Sequence, residues 1–225
     1  MKTSIALAVP STDLWHADFG VCFAQLIAYL CSEPLPGFKS QRFHICNTKG
    51  SMIPKSRTLL VREALRVEAQ YILFLDSDMV FPRETAHQLV SHQKQAVAAN
   101  CVIRQIPSSP TARYKSDKYS FGEPVFTDPT STGLEKVWRV GTGVMLLETT
   151  LLRRLGEPWF DMTWINIPEY DEPQLVGEDW KLCERLEEEG IPIYVDHDLS
   201  KEIGHIGTLH HTHSYVGEVK EPRNA

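Results

Sequence analysis

Tyr71-Ile72-Leu73-Phe74-Leu75-Asp76-Ser77-Asp78-Met79 is the stretch from which the rest of the chain is read. Five apolar residues, rich in aromatic and branched side chains, run directly into two aspartates one residue apart. A run this short and this apolar predicts a buried strand. Side chains alternate along a strand, so an extended backbone would project Asp76 and Asp78 to one side. Carboxylates at the end of a buried strand stand where open α/β sheets place their ligands. Such a pair suits a hard divalent cation and a phosphate bridged by it.

Upstream, Ile5 to Val9 reads as a strand stopped by Pro10-Ser11-Thr12. Trp15, Phe19, Cys22, Phe23, Leu26, Ile27 and Leu30 then recur at helical spacing. Arg42 to Asn47 reads as a second strand, and Ser56 is expected to cap a helix carrying Leu60, Ala64, Leu65 and Val67. Downstream, Pro82 opens a helix, and Ala96 to Val102 reads as another strand. This β-α-β-α-β-α-β order predicts an α/β fold, with a Rossmann-like, mostly parallel sheet flanked by helices. Residues 1–104 are expected to form the nucleotide-binding half.

Residues 105–215 read as an irregular second half of the same domain. Gln105 to Pro129 is rich in Pro, Ser, Tyr and basic residues and predicts an ordered excursion or flap. Val137 to Val140 reads as a short strand entering Gly141-Thr142-Gly143, followed by the apolar run Val144 to Leu147. Gly177-Glu178-Asp179 opens a helix that Gly190 ends, and Ile191 to Val195 reads as a last strand. Residues 216–225 are expected to be a frayed, flexible tail.

A chain of 225 residues suits one large domain. Its five cysteines are odd in number and scattered without a CxxC pair, which suggests neither a zinc knuckle nor a disulfide framework and favours a reducing compartment. The net charge of -6 argues against broad polyanion binding, while leaving room for a local basic patch. The apolar run near the N-terminus is too short for an export core. Phe19 to Cys31 falls short of the ~20 residues that span a bilayer. A soluble, cytoplasmic protein is expected (in the host cytoplasm, if viral).

Each candidate has a plain alternative. Asp76 and Asp78 could merely terminate a strand, and Glu178-Asp179 could merely compensate a helix dipole. A carboxylate at a helix start that faces a cleft can also act as a general base. Gly141-Thr142-Gly143 permits close approach of a ligand, or simply a turn. His205, His210, His211 and His213 lie within nine positions, as a metal or anion site or as a solvated tail. A carboxylate-plus-imidazole shell suits Mn²⁺. Arg57, expected in the first turn of its helix, sits where the dipole disfavours a cation. A diphosphate or a neighbouring acid would account for it.

In this order the segments resemble GT-A-fold, family-2-like glycosyltransferases of the small soluble kind found in phages and bacteria. The matching segments are Ala8-Val9-Pro10, Ile53-Pro54-Lys55-Ser56-Arg57, Leu73 to Met79, Val140 to Leu146, Pro158-Trp159-Phe160, Gly177-Glu178-Asp179-Trp180 and Ile203 to Gly207. The resemblance implies a metal-dependent transfer of one sugar from a nucleoside-diphosphate sugar, of UDP or GDP type, to a hydroxyl acceptor. That acceptor would be a glycan, a small molecule or a modified base in phage DNA. Asp76-Ser77-Asp78 would be the DxD motif. Asp78 would bind Mn²⁺ (or Mg²⁺) directly, and Asp76 would contact the donor ribose or the metal through water. His205 would complete the metal shell. Pro10, Ser11, Thr12, Asn47 and Arg57 would contact the nucleotide. Gly141, Thr142, Gly143 and Trp159 would line the acceptor site, with Asp179 as base beside Glu178 if the transfer inverts configuration, or orienting the acceptor or donor sugar if it retains it. The QxxRW segment of membrane-bound polymerases is missing after Asp179, which favours a single transfer and no membrane. DNA as acceptor would need a patch of Arg104, Arg113, Lys115 and Lys118.

Two rivals compete. Asp76-Ser77-Asp78-Met79-Val80 also fits a haloacid-dehalogenase-like phosphatase, with Asp76 as nucleophile. That motif normally ends a domain's first strand, whereas here it follows two strand-helix units. A non-catalytic nucleotide-sugar or glycan-binding module is the other; the pairing of Asp78 with Asp179 argues against it.

Overall fold

The computed structural model describes residues 2–207, 210–213 and 216. The first elements are β1 (Lys2–Ser11), α1 (Ala17–Ser32), β2 (Ser40–Lys49), α2 (Ile53–Arg66), β3 (Tyr71–Leu75), β4 (Met79–Val80), α3 (Thr85–Ser91) and β5 (Ala96–Ala98). Next come β6 (Arg113–Tyr114), β7 (Glu123–Pro124), β8 (Leu134–Val137), β9 (Val144–Glu148), α4 (Thr149–Leu155), β10 (Thr163–Ile165) and β11 (Gln174–Val176). The chain closes with α5 (Glu178–Glu188), β12 (Ile193–Asp196), α6 (His197–Ser200), β13 (Gly204–Ile206) and β14 (His210–His211).

Seven strands form the central sheet in the order β2-β1-β3-β9-β5-β12-β8. β1 pairs in parallel with β2 and β3, and β12 with β5. β9 runs antiparallel to both its neighbours, and β8 antiparallel to β12, so the other five strands share one direction. The sheet is therefore mostly parallel. β9, from the second half of the chain, lies between β3 and β5 of the first, so the two halves share one sheet.

β3 shows why the fold closes as it does. All five of its residues are buried, with Ile72 and Phe74 in one core and Tyr71, Leu73 and Leu75 in the other. The first core is covered by Leu60, Val61 and Ala64 of α2 and by Leu182, Cys183 and Leu186 of α5. The second is covered by Phe19, Phe23 and Leu26 of α1 and by Ala86, Leu89 and Val90 of α3. A strand apolar on both faces demands helices on both faces. Among the described residues, no helix is long and apolar enough to cross a membrane.

Several boundaries differ from expectation. α2 begins at Ile53 behind Met52, not at Ser56, because Pro54 fits the first turn, where its missing N–H costs nothing. Arg57 accordingly lies in the second turn. Pro82 sits in the turn before α3, where its carbonyl accepts from the Thr85 N–H at 3.1 Å and the Thr85 hydroxyl at 2.6 Å. β8 ends at Val137, where the expected strand began. The excursion after residue 104 is ordered around Asn100, which is fully buried. Its amide donates to the Val125 carbonyl at 2.7 Å, and its oxygen accepts from the Ala112 N–H at 3.0 Å.

Candidate active site

β3 stops at Leu75, and the Met79 N–H closes a turn on the Asp76 carbonyl at 3.0 Å. Strand alternation thus ends before the aspartates, and the two carboxylates have different partners, contrary to the expectation of one shared side.

Asp76 belongs to a buried ionic group. Arg57 is 4 % exposed. Its Nη2 donates to Asp76 Oδ2 at 2.9 Å and its Nε to Glu178 Oε1 at 3.1 Å. Its guanidinium lies 5.7 Å from the centre of the Phe74 ring. A buried guanidinium is too costly without countercharges, so Arg57 gathers one acid from the end of β3 and one from the start of α5. Burial depresses the Arg57 pKa, but Asp76 and Glu178 outweigh it and the net shift is upward. For Asp76, burial raises the pKa against the opposing pull of Arg57. Asp76 Oδ1 and Thr142 Oγ1 are buried without a hydrogen-bond partner. The Asp76 N–H donates to the Gly143 carbonyl at 2.9 Å, which fastens the Gly141-Thr142-Gly143 segment to this group.

Asp78 joins a second group. β13 pairs antiparallel with β4, setting His205 opposite Met79. Gly204 is required there, because a Cβ would come within 2.5 Å of Val80 Cγ2. His205 Nε2 lies 3.3 Å from Asp78 Oδ2, and Arg104 Nη1 lies 3.1 Å from the same oxygen. Nδ1–H of His205 donates to the Val102 carbonyl at 2.7 Å. Burial works against a charged His205, yet the hydrogen bonds to Asp78 and Val102 and the Asp78 charge raise its pKa overall. Burial likewise works against Asp78 ionisation and is outweighed by His205 and Arg104, so its pKa is lowered.

Asp179 stands beside Glu178 in the first turn of α5, its Oδ1 accepting from the Trp180 N–H at 2.8 Å. Burial, reinforced by Glu178 and opposed by Arg57, pushes its pKa up to about 6. Such a carboxyl can exchange a proton near neutral pH. Next to it, Arg139 is wedged between Trp138 and Trp180, its guanidinium 3.6 and 3.2 Å from the two ring centres. Desolvation lowers its pKa to about 10. Sequence reading passed over Arg139. The signal available was its place in Trp138-Arg139, just before the Gly-Thr-Gly segment.

The nucleotide candidates occupy the strand ends. Ala8 pairs with Phe74, so Pro10 near the end of β1 lies toward the same end of the sheet as the turn after β3 that carries Asp76. Pro10 and Ser11 are buried and Thr12 is exposed. Asn47 Nδ2 donates to the Val9 carbonyl at 2.8 Å and to Ser11 Oγ at 2.9 Å, tying β1 to β2. The Ser77 carbonyl accepts from the His16 N–H at 3.4 Å.

Trp159 corrects its expected role. It is 4 % exposed within the core, and its Nε1–H donates to the Leu152 carbonyl at 2.7 Å, so it does not line an acceptor site. Its ring belongs to the same core as Leu151 and Leu152 of α4, which a motif match cannot reveal. The basic residues of the second half go to separate partners. Arg113 donates to Ser109, Lys115 pairs with Glu187, and Lys118 lies over the Tyr119 ring. His213 Nε2 bonds the Asn100 carbonyl at 2.6 Å, which gives it a local structural role. The side chains of His210 and His211 and the tail from 217 lie outside the described residues.

Among the described residues, no three His, Cys, Asp or Glu side chains are gathered as a metal cage. Asp78 Oδ2 and His205 Nε2 nonetheless fit as two adjacent ligands, since their 3.3 Å separation is close to the ~3 Å between neighbouring ligands about 2.1 Å from one ion. With Nδ1–H donated to Val102, Nε2 is the nitrogen that would face a metal. Arg57 holds Asp76 Oδ2, which removes that atom from direct coordination. The remaining positions would fall to water and to phosphate oxygens of a ligand.

No family model matches the chain, and no curated protein matches it in sequence. Solved structures do resemble it. Protein A197 from STIV aligns over 98% of this chain and 100% of its own, with a TM-score of 0.60 at 13% identity. A nucleoside-diphosphate-sugar pyrophosphorylase from Vibrio cholerae RC9 aligns over 88% of this chain and 93% of its own, with a TM-score of 0.43 at 14% identity. TarS 1-349 from S. aureus gives a TM-score of 0.43 at 15% identity, over 88% of this chain and 58% of its own. The likeness to A197 spans both chains and shows a shared fold: a mixed α/β architecture around one large, mostly parallel sheet.

Proposed function

We propose that this protein is a metal-dependent glycosyltransferase of the GT-A type, moving one sugar from a nucleoside-diphosphate sugar to a hydroxyl acceptor. The observation that carries this is the joining of Asp76 and Glu178 through buried Arg57, which brings the end of β3 beside Asp179. An acid at a strand end thereby adjoins a carboxyl whose pKa is about 6.

Asp78 and His205 would hold Mn²⁺ or Mg²⁺, which when bound supplies Lewis-acid neutralisation of the leaving diphosphate. Asp179 takes the acceptor's hydroxyl proton as that oxygen bonds to the anomeric carbon. The bond from that carbon to the diphosphate breaks, and its electron pair leaves with the nucleotide. Asp76, fixed by Arg57 at the end of β3, shapes the donor side of the site. Arg57 keeps Asp76 and Glu178 in place, and its own partners leave it little freedom to grip phosphate. The phosphatase alternative is weakened because Arg57 holds Asp76 Oδ2 and burial covers Oδ1, which shields the would-be nucleophile.

The acceptor side favours a glycan over DNA. Between Arg154 and Lys181 the chain has no basic residue, while Asp161, Glu169, Asp171 and Glu172 all precede Asp179. Carboxylates there repel a phosphate backbone and accept sugar hydroxyls. On the same hairpin, Trp164 is 67% exposed opposite Leu175, an aromatic surface suited to a sugar's C–H face.

A thermal-shift screen of UDP- and GDP-sugars with and without Mn²⁺ tests the proposal. At about 100 times Kd, a ligand adds about 2.7 kcal/mol, or roughly 5–11 °C in Tm. A shift is expected only with metal and nucleotide sugar together. A chain that ignores every such pair, or that hydrolyses an aryl phosphate, would overturn it.

A further inference from the structure

Arg104 lies beyond the end of β5, just before the excursion, with its side chain 50% exposed. Its backbone neighbours are fastened, the Ile103 N–H to the Ser109 carbonyl and the Gln105 N–H to the Ile103 carbonyl, both at 2.9 Å. The guanidinium, by contrast, makes its one ion pair among the described residues with Asp78. It reaches the very oxygen that His205 faces. The other acids near the site are occupied differently, since Asp76 and Glu178 share Arg57.

A divalent ion on Asp78 Oδ2 would sit about 2 Å from it, and a guanidinium holding the same oxygen would be left about 3–4 Å from a doubly charged cation. Like charges that close repel by several kcal/mol at a partly buried site. Arg104 and the metal are therefore alternatives. An arginine freed beside a metal-bound diphosphate has a fork of N–H donors that matches phosphate oxygens, which a point charge lacks.

We propose that Arg104 is an exchange residue. It neutralises Asp78 in the free protein, yields that oxygen when the divalent ion arrives, and then binds the diphosphate. There it stabilises the charge taken up as the bond to the sugar breaks. This rests on the metal and nucleotide reading above, and it adds a residue that binds the leaving group and couples metal loading to nucleotide binding.

The experiment uses the full chain, with Arg104→Gln, Arg104→Lys and Asp78→Asn variants. Mn²⁺ binding is followed by electron paramagnetic resonance of the free ion, first alone, then with UDP or GDP as probe. Arg104→Gln is expected to bind Mn²⁺ alone about 5–10-fold more tightly, because a competing cation is gone. With Mn²⁺ saturating, its affinity for the diphosphates should fall about 10-fold. Arg104→Lys should lie between. Unchanged Mn²⁺ affinity in Arg104→Gln overturns the exchange, even if diphosphate binding weakens. Unchanged diphosphate affinity overturns the second half. Failure of the underlying metal reading looks different: the parent chain would then bind Mn²⁺ no better than Asp78→Asn.

Discussion

Replacing Arg57 by methionine keeps most of the side chain's length while removing its charge. Its side chain is 5% exposed, against 27% for Asp76 and 14% for Glu178. Losing one member of a buried ionic group typically costs 3–5 kcal/mol, since the remaining charges lose their compensation. Asp76 is partly solvated, so the lower end applies: about 3 kcal/mol, or roughly 6–12 °C in Tm for a domain of this size. The loss should depend on pH. Burial already raises the Asp76 pKa in the parent protein, and Arg57 restrains that rise. Without Arg57 the folded-state pKa climbs further above the unfolded value. The penalty is then full above the folded pKa and fades as pH falls from the folded toward the unfolded pKa, because the protonated acid carries no charge to desolvate. Thermal denaturation of both proteins between pH 8 and pH 5 should show the Tm gap shrinking by about half or more. Adding Glu178→Gln to the variant should recover part of the loss at pH 8. A gap below about 2 °C, or one constant across this range, would refute the idea that Arg57 holds the site together by charge.

Asp179→Asn should lower turnover by about 10²–10⁴-fold while changing donor affinity less than about twofold. In the parent, kcat/KM should rise with pH through about 6, as Asp179 loses its proton; a profile flat from pH 5 to 8 would exclude it as base. Gly204→Ala drives a methyl group into Val80 Cγ2, and overpacking of this kind costs about 1–3 kcal/mol. Chemical denaturation should show that loss and its recovery in the Gly204→Ala/Val80→Ala double variant, where the clash is removed. Trp159→Phe removes one of two donors to the Leu152 carbonyl, which keeps the Gly156 N–H, and should cost about 0.5–1.5 kcal/mol of stability with acceptor KM unaltered. A raised KM at unchanged stability would return Trp159 to the acceptor site.

What could be read along the chain was local. Five consecutive apolar residues ahead of Asp76 could satisfy themselves only as a strand buried on both faces, which in turn called for helices on either side. Gly177-Glu178-Asp179 announced a helix start because acids compensate the dipole there, and α5 begins at Glu178. The direction of β9 could not be read in the same way, because an apolar run such as Val144 to Leu147 looks alike pointing either way. Its insertion between β3 and β5 follows from pairing energetics over the whole sheet. Ser56 misled because a good capping residue was outweighed by Pro54 just ahead of it.

The same division holds at the site. Sequence alone determined which residues carry charge and which segments end at the sheet's edge: Asp76, Asp78, Asp179 and His205 were all in view. Only the tertiary structure decided their partners. Arg57 and Glu178 are 121 residues apart, and Asp78 and His205 are 127 apart, so no local pattern links them. The turn at 76–79 separated two aspartates that strand geometry would have kept together, sending one to Arg57 and the other to His205 and Arg104. Burial forced that choice. A buried charge must find an opposite charge or a hydrogen bond wherever the fold supplies one, and the fold supplies it from far along the chain.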